Sequence, residues 1–398
     1  MDKFHVGKVS RRRWLGFLGS GLVFGALSPN LRAMPVKSNV CWDGLAPAGS
    51  YSLKALKHIN AHLPFHFEIQ QQFDHPVLSG TRPQLPGYGF EGGVALKVGG
   101  LYRLFTCQFK LGDYGAPTTL PYWVSRDGKH WKFKSSVVGT VPPAESGRGF
   151  VPWEPTPIFD HDENRWYLFF VAYNNRNQNG KIRMMTSSTR GYDHGIDGPW
   201  HDLGVVMQPD AESQPWEGPA GVDSFFPYQA NGRWYALYGS SNWGKPKSNI
   251  FGEDTIRWLI GLASAPALKG PWKRHSRGNP LPTEKVYWEN PIVSRIGRWY
   301  VAVYDAVAPG APTYIPNGGH ITGYTCSRDG IHWLPGGRIL VQPDGPGNWS
   351  RDLRTPMGLI PEGKGVYTLF YTGFERAAPQ WTGNESIGMV RLRIVWHR

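Results

Sequence analysis

Apolar residues in this chain come in short runs that end at turns, and five of the runs are near copies of one another. They read GLYRLF at Tyr102, RWYLFF at Tyr167, RWYALY at Tyr235, RWYVAV at Tyr300 and GVYTLF at Tyr367, spaced by 65, 68, 65 and 67 residues. After a polar loop, each of the first four is followed by a second strand-like run and a turn ending in tryptophan: SRDGKHW (Trp131), DGPW (Trp200), KGPW (Trp272) and SRDGIHW (Trp333). A fixed period of this length marks supersecondary units stacked in a row or set around an axis. Each unit has room for about four ordinary strands with tight turns, and beyond the N-terminal segment no long helical periodicity competes with them. The pattern predicts an all-β fold, a five-bladed β-propeller of four-stranded antiparallel blades over residues 35–398, with the tyrosine run as the second strand of each blade. The fifth unit lacks its tryptophan turn, because the sequence runs out at SIGMVRLRIVWHR. The alternating run FHFEIQQQF, residues 65–73, is expected to complete that blade and protect its open edge.

Residues 1–34 follow another logic. SRRRWLGFLGSGLVFGALS, residues 10–28, sets paired arginines before an apolar stretch too short and glycine-rich for a stable membrane span. Ser10, Arg11, Arg12, Trp14 and Leu15 fit a twin-arginine export signal cleaved near Ala33. The mature protein is therefore expected in the periplasm or outside the cell, with no stable membrane insertion once the signal is removed.

Composition agrees with many short strands, since 50 Gly and 34 Pro supply turns and 18 Trp supply aromatic surface. Of the net charge of +13, residues 1–34 carry +5, six basic side chains against Asp2 alone, so the rest of the chain keeps +8. Its basic residues are scattered singly, which argues against nucleic acid as a partner. Cys41, Cys107 and Cys326 have neither disulfide-framework nor metal-site spacing, and Cys107 and Cys326 read as buried apolar residues within strands.

The first strand of a propeller blade lies nearest the axis, and four units place an acid there. Glu91 in GFEGGVAL, Glu154 in VPWEPTPIF, Asp223 in GVDSFFPY and Glu289 in YWENPIV precede their repeat tyrosines by 11, 13, 12 and 11 residues. The fifth unit offers Asp352 and Arg354 in SRDLRTPMGL. Four carboxyls converging on one funnel repel one another unless some are protonated or paired with cations. Glycoside hydrolysis needs such a group: one carboxylic acid to protonate the leaving oxygen, and one carboxylate to activate water or attack the anomeric carbon.

At these residues the chain resembles the five-bladed glycoside hydrolases of family 43 and relatives such as family 117. The resemblance implies Glu91 as catalytic base, Asp223 in VDS as the acid-modulating aspartate and Glu289 in ENP as general acid, with WEPT at 153–156 loosely matching the WAPD motif of blade two. It departs from the family twice, with Glu91 where aspartate is usual and Glu154 where alanine is usual. Glu217 in PWEGPAG mimics the acid motif but falls on the loop before blade three. What the resemblance implies is hydrolysis of an oligo- or polysaccharide by single displacement with inversion, the base and acid carboxyls standing roughly 6.5–9.5 Å apart. Asp223 is expected to raise the pKa of Glu289 by like-charge repulsion. Trp153 and Trp288, beside two of the acids, are candidate sugar-stacking rings, and Glu154 and Arg354 candidate substrate contacts. No cofactor is required; an axial divalent cation is left open, with His320 as the residue to hold it. A noncatalytic carbohydrate-binding propeller and a phosphorolytic enzyme are the competing readings.

Changing Arg11 and Arg12 together to lysine is expected to strand the precursor in the cytoplasm, as cell fractionation with immunoblotting would show.

Overall fold

The computed structural model describes residues 57–73, 75–80, 88–110, 118–138, 150–174, 179–242, 257–307, 320–339, 349–350, 352–374 and 385–397. The leader segment and Cys41 lie outside the described residues, as do the side chains of His320, Asp352 and Arg354. Among the described residues, twenty strands form five antiparallel four-stranded sheets. Blade one comprises β2 (Tyr88–Val98), β3 (Leu101–Lys110), β4 (Leu120–Ser125) and β5 (Trp131–Val138). Blade two holds β6 (Val151–Asp160), β7 (Arg165–Tyr173), β8 (Lys181–Arg190) and β9 (Trp200–Met207). Blade three holds β10 (Asp223–Ala230), β11 (Arg233–Ser241), β12 (Trp258–Ala265) and β13 (Lys273–Arg274). Blade four holds β14 (Glu289–Ile296), β15 (Trp299–Val307), β16 (His320–Ser327) and β17 (Gly337–Ile339). Blade five is β18 (Asp352–Gly363), β19 (Val366–Phe374), β20 (Ser386–Trp396) and, from the other end of the chain, β1 (Phe65–Gln72).

The five repeat tyrosines all lie on second strands. In four blades a hydroxyl residue faces the tyrosine from the third strand: Ser125 for Tyr102, Thr186 for Tyr167, Ser264 for Tyr235 and Ser327 for Tyr300. The period is thus a structural register carried from blade to blade. Outer strands are less regular. In blades three and four they shrink to two and three residues, because HSRGNPLP and LPGG interrupt any alternating run with Gly and Pro.

The SRDG turns show why the tryptophan motif recurs. Ser125 Oγ accepts the Gly128 N–H at 2.9 Å, while Asp127 Oδ1 accepts the N–H groups of Lys129 and His130 at 2.8 and 2.9 Å. Ser327, Asp329 and Gly330 repeat the arrangement in blade four. Both glycines have φ of 76° and press on the preceding blade: a Cβ at Gly330 would come within 2.9 Å of Ala230 Cβ. Each such turn is a spacer that docks one blade on the next. Cys107 and Cys326 are buried within these sheets.

Closure of the ring depends on β1, which pairs antiparallel with β20 from Phe65↔Trp396 onward. Phe65 is fully buried, its ring 5.0 Å from Trp396 and 5.9 Å from Tyr324, and its carbonyl accepts the Tyr324 hydroxyl at 2.7 Å. Phe65→Ala removes the ring that joins blade four to the closing strand and is expected to cost about 3–5 kcal/mol, read as a lower urea midpoint.

Candidate active site

First strands of neighbouring blades lie against one another around the centre. Each of them breaks its ladder at the same point. Pairing with the second strand stops at Glu91↔Cys107, Trp153↔Val171, Asp223↔Gly239 and Glu289↔Asp305, then resumes two or three residues further on. The residue just after the break is left-handed in all four: Gly92 at φ 64°, Glu154 at 50°, Ser224 at 49° and Asn290 at 52°. Three side chains larger than glycine's hold a conformation that costs on the order of 1–3 kcal/mol each. A bulge of this kind re-aims side chains, and here it sets two tiers of residues at the centre.

The two tiers correct the alignment of Glu154. Counted from the tyrosines it stands level with Glu91, Asp223 and Glu289, but in the structure Trp153 holds their position and Glu154 falls one place later, level with Gly92, Ser224 and Asn290. Gly92 is small for a reason, since a Cβ there would lie 2.9 Å from Glu154 Cγ. Glu154, Thr156, Ser224 and Asn290 line an axial cavity with apolar walls that include Val94, Phe226 and Ile292.

All four predicted acids are buried. Asp223 is completely enclosed; its Oδ2 accepts the Tyr173 hydroxyl at 3.2 Å, and its Oδ1 has no hydrogen-bond partner among the described residues. That oxygen sits over Gly239, where a Cβ would come within 2.1 Å. Tyr287 donates to Glu289 Oε2. The Ser224 N–H donates to Glu154 Oε2 at 3.0 Å, so the bulge of one blade anchors the acid of the blade before it.

A further acid, Asp305, is fully buried opposite Glu289 on β15. Its Oδ2 accepts from Asn290 Nδ2 at 3.2 Å and from Thr355 Oγ1 at 3.1 Å. The Asn290 N–H donates to Ser224 Oγ at 3.2 Å, which links the bulges of blades three and four. Asp305 was visible in sequence as the one acid inside the apolar run VAVYDAV. Asn290, Ser224, Tyr173 and Tyr287 carried no signal, because their importance lies in the bulge and in partners from other blades.

Burial, and then the charges of Asp223, Glu289 and Glu91 in that order, push the Glu154 carboxyl well above the usual carboxylate range. Burial and then the charge of Glu289 do the same for Asp223. Asp223, cast by sequence as the group that raises Glu289, is itself held toward its neutral form. Like charges this close titrate as a set, and the proton belongs to the cluster. Tyr173 is raised as well, by burial first and then by Asp223 and Glu154.

Trp153 and Trp288 do not offer open faces to a sugar. They are 4% and 1% exposed, with Trp153 packed 5.1 Å from the Phe109 ring and Trp288 5.1 Å from Tyr304, because each fills space between strands. Glu217 is away from the acid cluster on the loop before β10, where its carboxyl takes Arg274 Nε at 2.8 Å and Nη2 at 3.0 Å in a buried ion pair. Among the described residues no group of three or more His, Cys, Asp or Glu side chains is placed to hold a metal ion.

Solved structures share this architecture. A glycoside hydrolase superposes over 86% of this chain and 95% of its own, with a TM-score of 0.60 at 12% identity. A family 117 glycoside hydrolase from the marine bacterium Zobellia galactanivorans matches over 84% and 96%, with a TM-score of 0.52 at 14% identity. The β-1,2-mannobiose phosphorylase of Listeria innocua, solved with β-1,2-mannobiose, matches over 81% and 96%, with a TM-score of 0.50 at 13% identity. At such identities the likeness is one of fold: this chain has the five-bladed propeller fold of those carbohydrate-active enzymes. Neither a protein-family model nor a curated protein matches the sequence.

The raised carboxyls carry a stability signature. A buried acid with an elevated pKa stabilises the fold fully below the ordinary carboxylate range, and that contribution is lost as pH rises toward the elevated value. Glu154→Gln keeps an acceptor for the Ser224 N–H and removes the charge. Scanning calorimetry is expected to show its Tm equal to the parent's near pH 4 and higher near pH 8, by on the order of 2–4 °C.

Proposed function

We propose that the protein is an exported glycoside hydrolase that cleaves an oligo- or polysaccharide by acid/base catalysis with inversion. The observation that carries this reading is the burial, at one centre, of carboxyls from four successive blades, two of them pushed toward the neutral form. Stability alone gives no reason to assemble like charges, whereas glycosyl transfer to water needs a protonated and an ionised carboxyl side by side.

In this mechanism Glu91 takes a proton from water as the water oxygen bonds to the anomeric carbon. The bond from that carbon to the leaving oxygen breaks, and Glu289 gives the leaving oxygen its proton. The Tyr287 hydroxyl, already donating to Glu289 Oε2, stabilises the carboxylate that remains. Asp223, held by Tyr173, shares the protons of the cluster with the acid beside it. The shared fold with a phosphorylase supplies the rival reading, in which inorganic phosphate replaces water as the attacking group.

Purified mature protein should release reducing sugar from at least one member of a panel of plant, algal and bacterial glycans without added phosphate. Glu289→Gln is expected to lower kcat about 10²–10⁴-fold on substrates with poor leaving groups and much less on aryl glycosides. Glu91→Gln should cost the same on both, because the base serves water. Turnover that requires phosphate would favour phosphorolysis, and near-normal rates in both variants would remove these assignments.

A further inference from the structure

The cavity at the propeller centre is reached by Glu154, which the family pattern does not supply and the acid/base scheme does not use. We infer that Glu154 is a specificity-determining residue that acts as a neutral carboxylic acid, donating a hydrogen bond to a hydroxyl oxygen of an uncharged sugar ring. The inference rests on the carbohydrate reading above and goes beyond it by restricting the ring that binds deepest to neutral sugars.

Geometry leads to this role. The left-handed backbone at residue 154 turns the side chain into the cavity, and the absence of a Cβ at Gly92 makes room for it. Oε2 is occupied as an acceptor by the Ser224 N–H at 3.0 Å, which leaves Oε1 to carry a proton. Ser224 Oγ and the Asn290 carboxamide line the same cavity from the next two blades. A carboxylic acid, a hydroxyl and an amide converging between apolar walls suit an alcohol oxygen, which both gives and takes hydrogen bonds.

Charge points the same way. The groups facing Glu154 are Glu91 from blade one, Tyr173 from its own blade, Asp223 from blade three and Glu289 from blade four, with Asp305 behind Asn290. Three of these acids disfavour an ionised Glu154, and its burial adds to their effect. The negative charge that the cluster retains would repel a uronate or sulfate group entering the cavity. An uncharged ring meets no such barrier.

Calorimetric or saturation-transfer titration of the mature protein needs no turnover, so it separates this inference from the hydrolase assignment. The probes are L-arabinose, D-xylose, D-galactose and L-fucose against D-galacturonate and D-glucuronate, at pH 6 and pH 9. At least one neutral sugar should bind more tightly than either uronate, and more tightly at pH 6 than at pH 9. Glu154→Gln, which keeps a neutral donor, should retain that affinity within about threefold, whereas Glu154→Ala should lose about tenfold or more. If Gln loses as much as Ala, an ionised carboxylate is what binds and the inference fails. Tighter binding of a uronate, affinity that rises with pH, or no binding by any sugar of the panel would also overturn it. Should Glu154→Ala not fold, the Gln variant and the pH dependence decide alone.

Discussion

Carboxylates repel, and removing them from water sharpens the repulsion, so the centre of this propeller is held together against its own charge. Glu91, Glu154, Asp223 and Glu289 are all buried there. Much of the surrounding detail answers that one constraint. Tyr173, Tyr287 and the Ser224 N–H each give a hydrogen bond to a carboxyl. Gly92 and Gly239 withdraw side-chain bulk where Glu154 and Asp223 need space. Protonation does the rest, with Glu154 and Asp223 held toward the neutral form. An arrangement that opposes stability in this way is the kind that function maintains.

A strained centre requires a stiff frame. The left-handed residues Glu154, Ser224 and Asn290 persist because their strands are clamped on both sides of the bulge by ladder pairing. The blades are locked in turn by turns that dock on the preceding blade and by β1, which closes the last sheet with residues from the other end of the chain. Core packing and ring closure are therefore linked, since Phe65 joins β20 of blade five to Tyr324 of blade four.

The fold was largely legible in the sequence because a propeller writes its period directly: the tyrosine and the tryptophan turn recur at near-constant spacing, and the closing strand shows as an alternating run. The candidate site was legible to the level of residue type. Glu91, Asp223 and Glu289, singled out by distance from the tyrosine, all lie buried, but the same count misplaced Glu154, because a bulge alters register without altering spacing. Trp153 and Trp288 looked like stacking rings when only their neighbours in sequence were known, and burial between strands cannot be read from one strand. Tyr173 and Tyr287 were out of reach for a related reason, since their roles come from a carboxyl they meet only after folding.

Burial and mutual repulsion hold the Glu154 and Asp223 carboxyls toward their neutral form, and infrared spectroscopy of the folded protein in D₂O at pH 7 reads that state directly. Carbonyl bands of neutral carboxylic acids are expected, one lost in Glu154→Gln and another in Asp223→Asn. A spectrum with only ionised carboxylates at pH 7, unchanged in both variants apart from the loss of one carboxylate each, would contradict this.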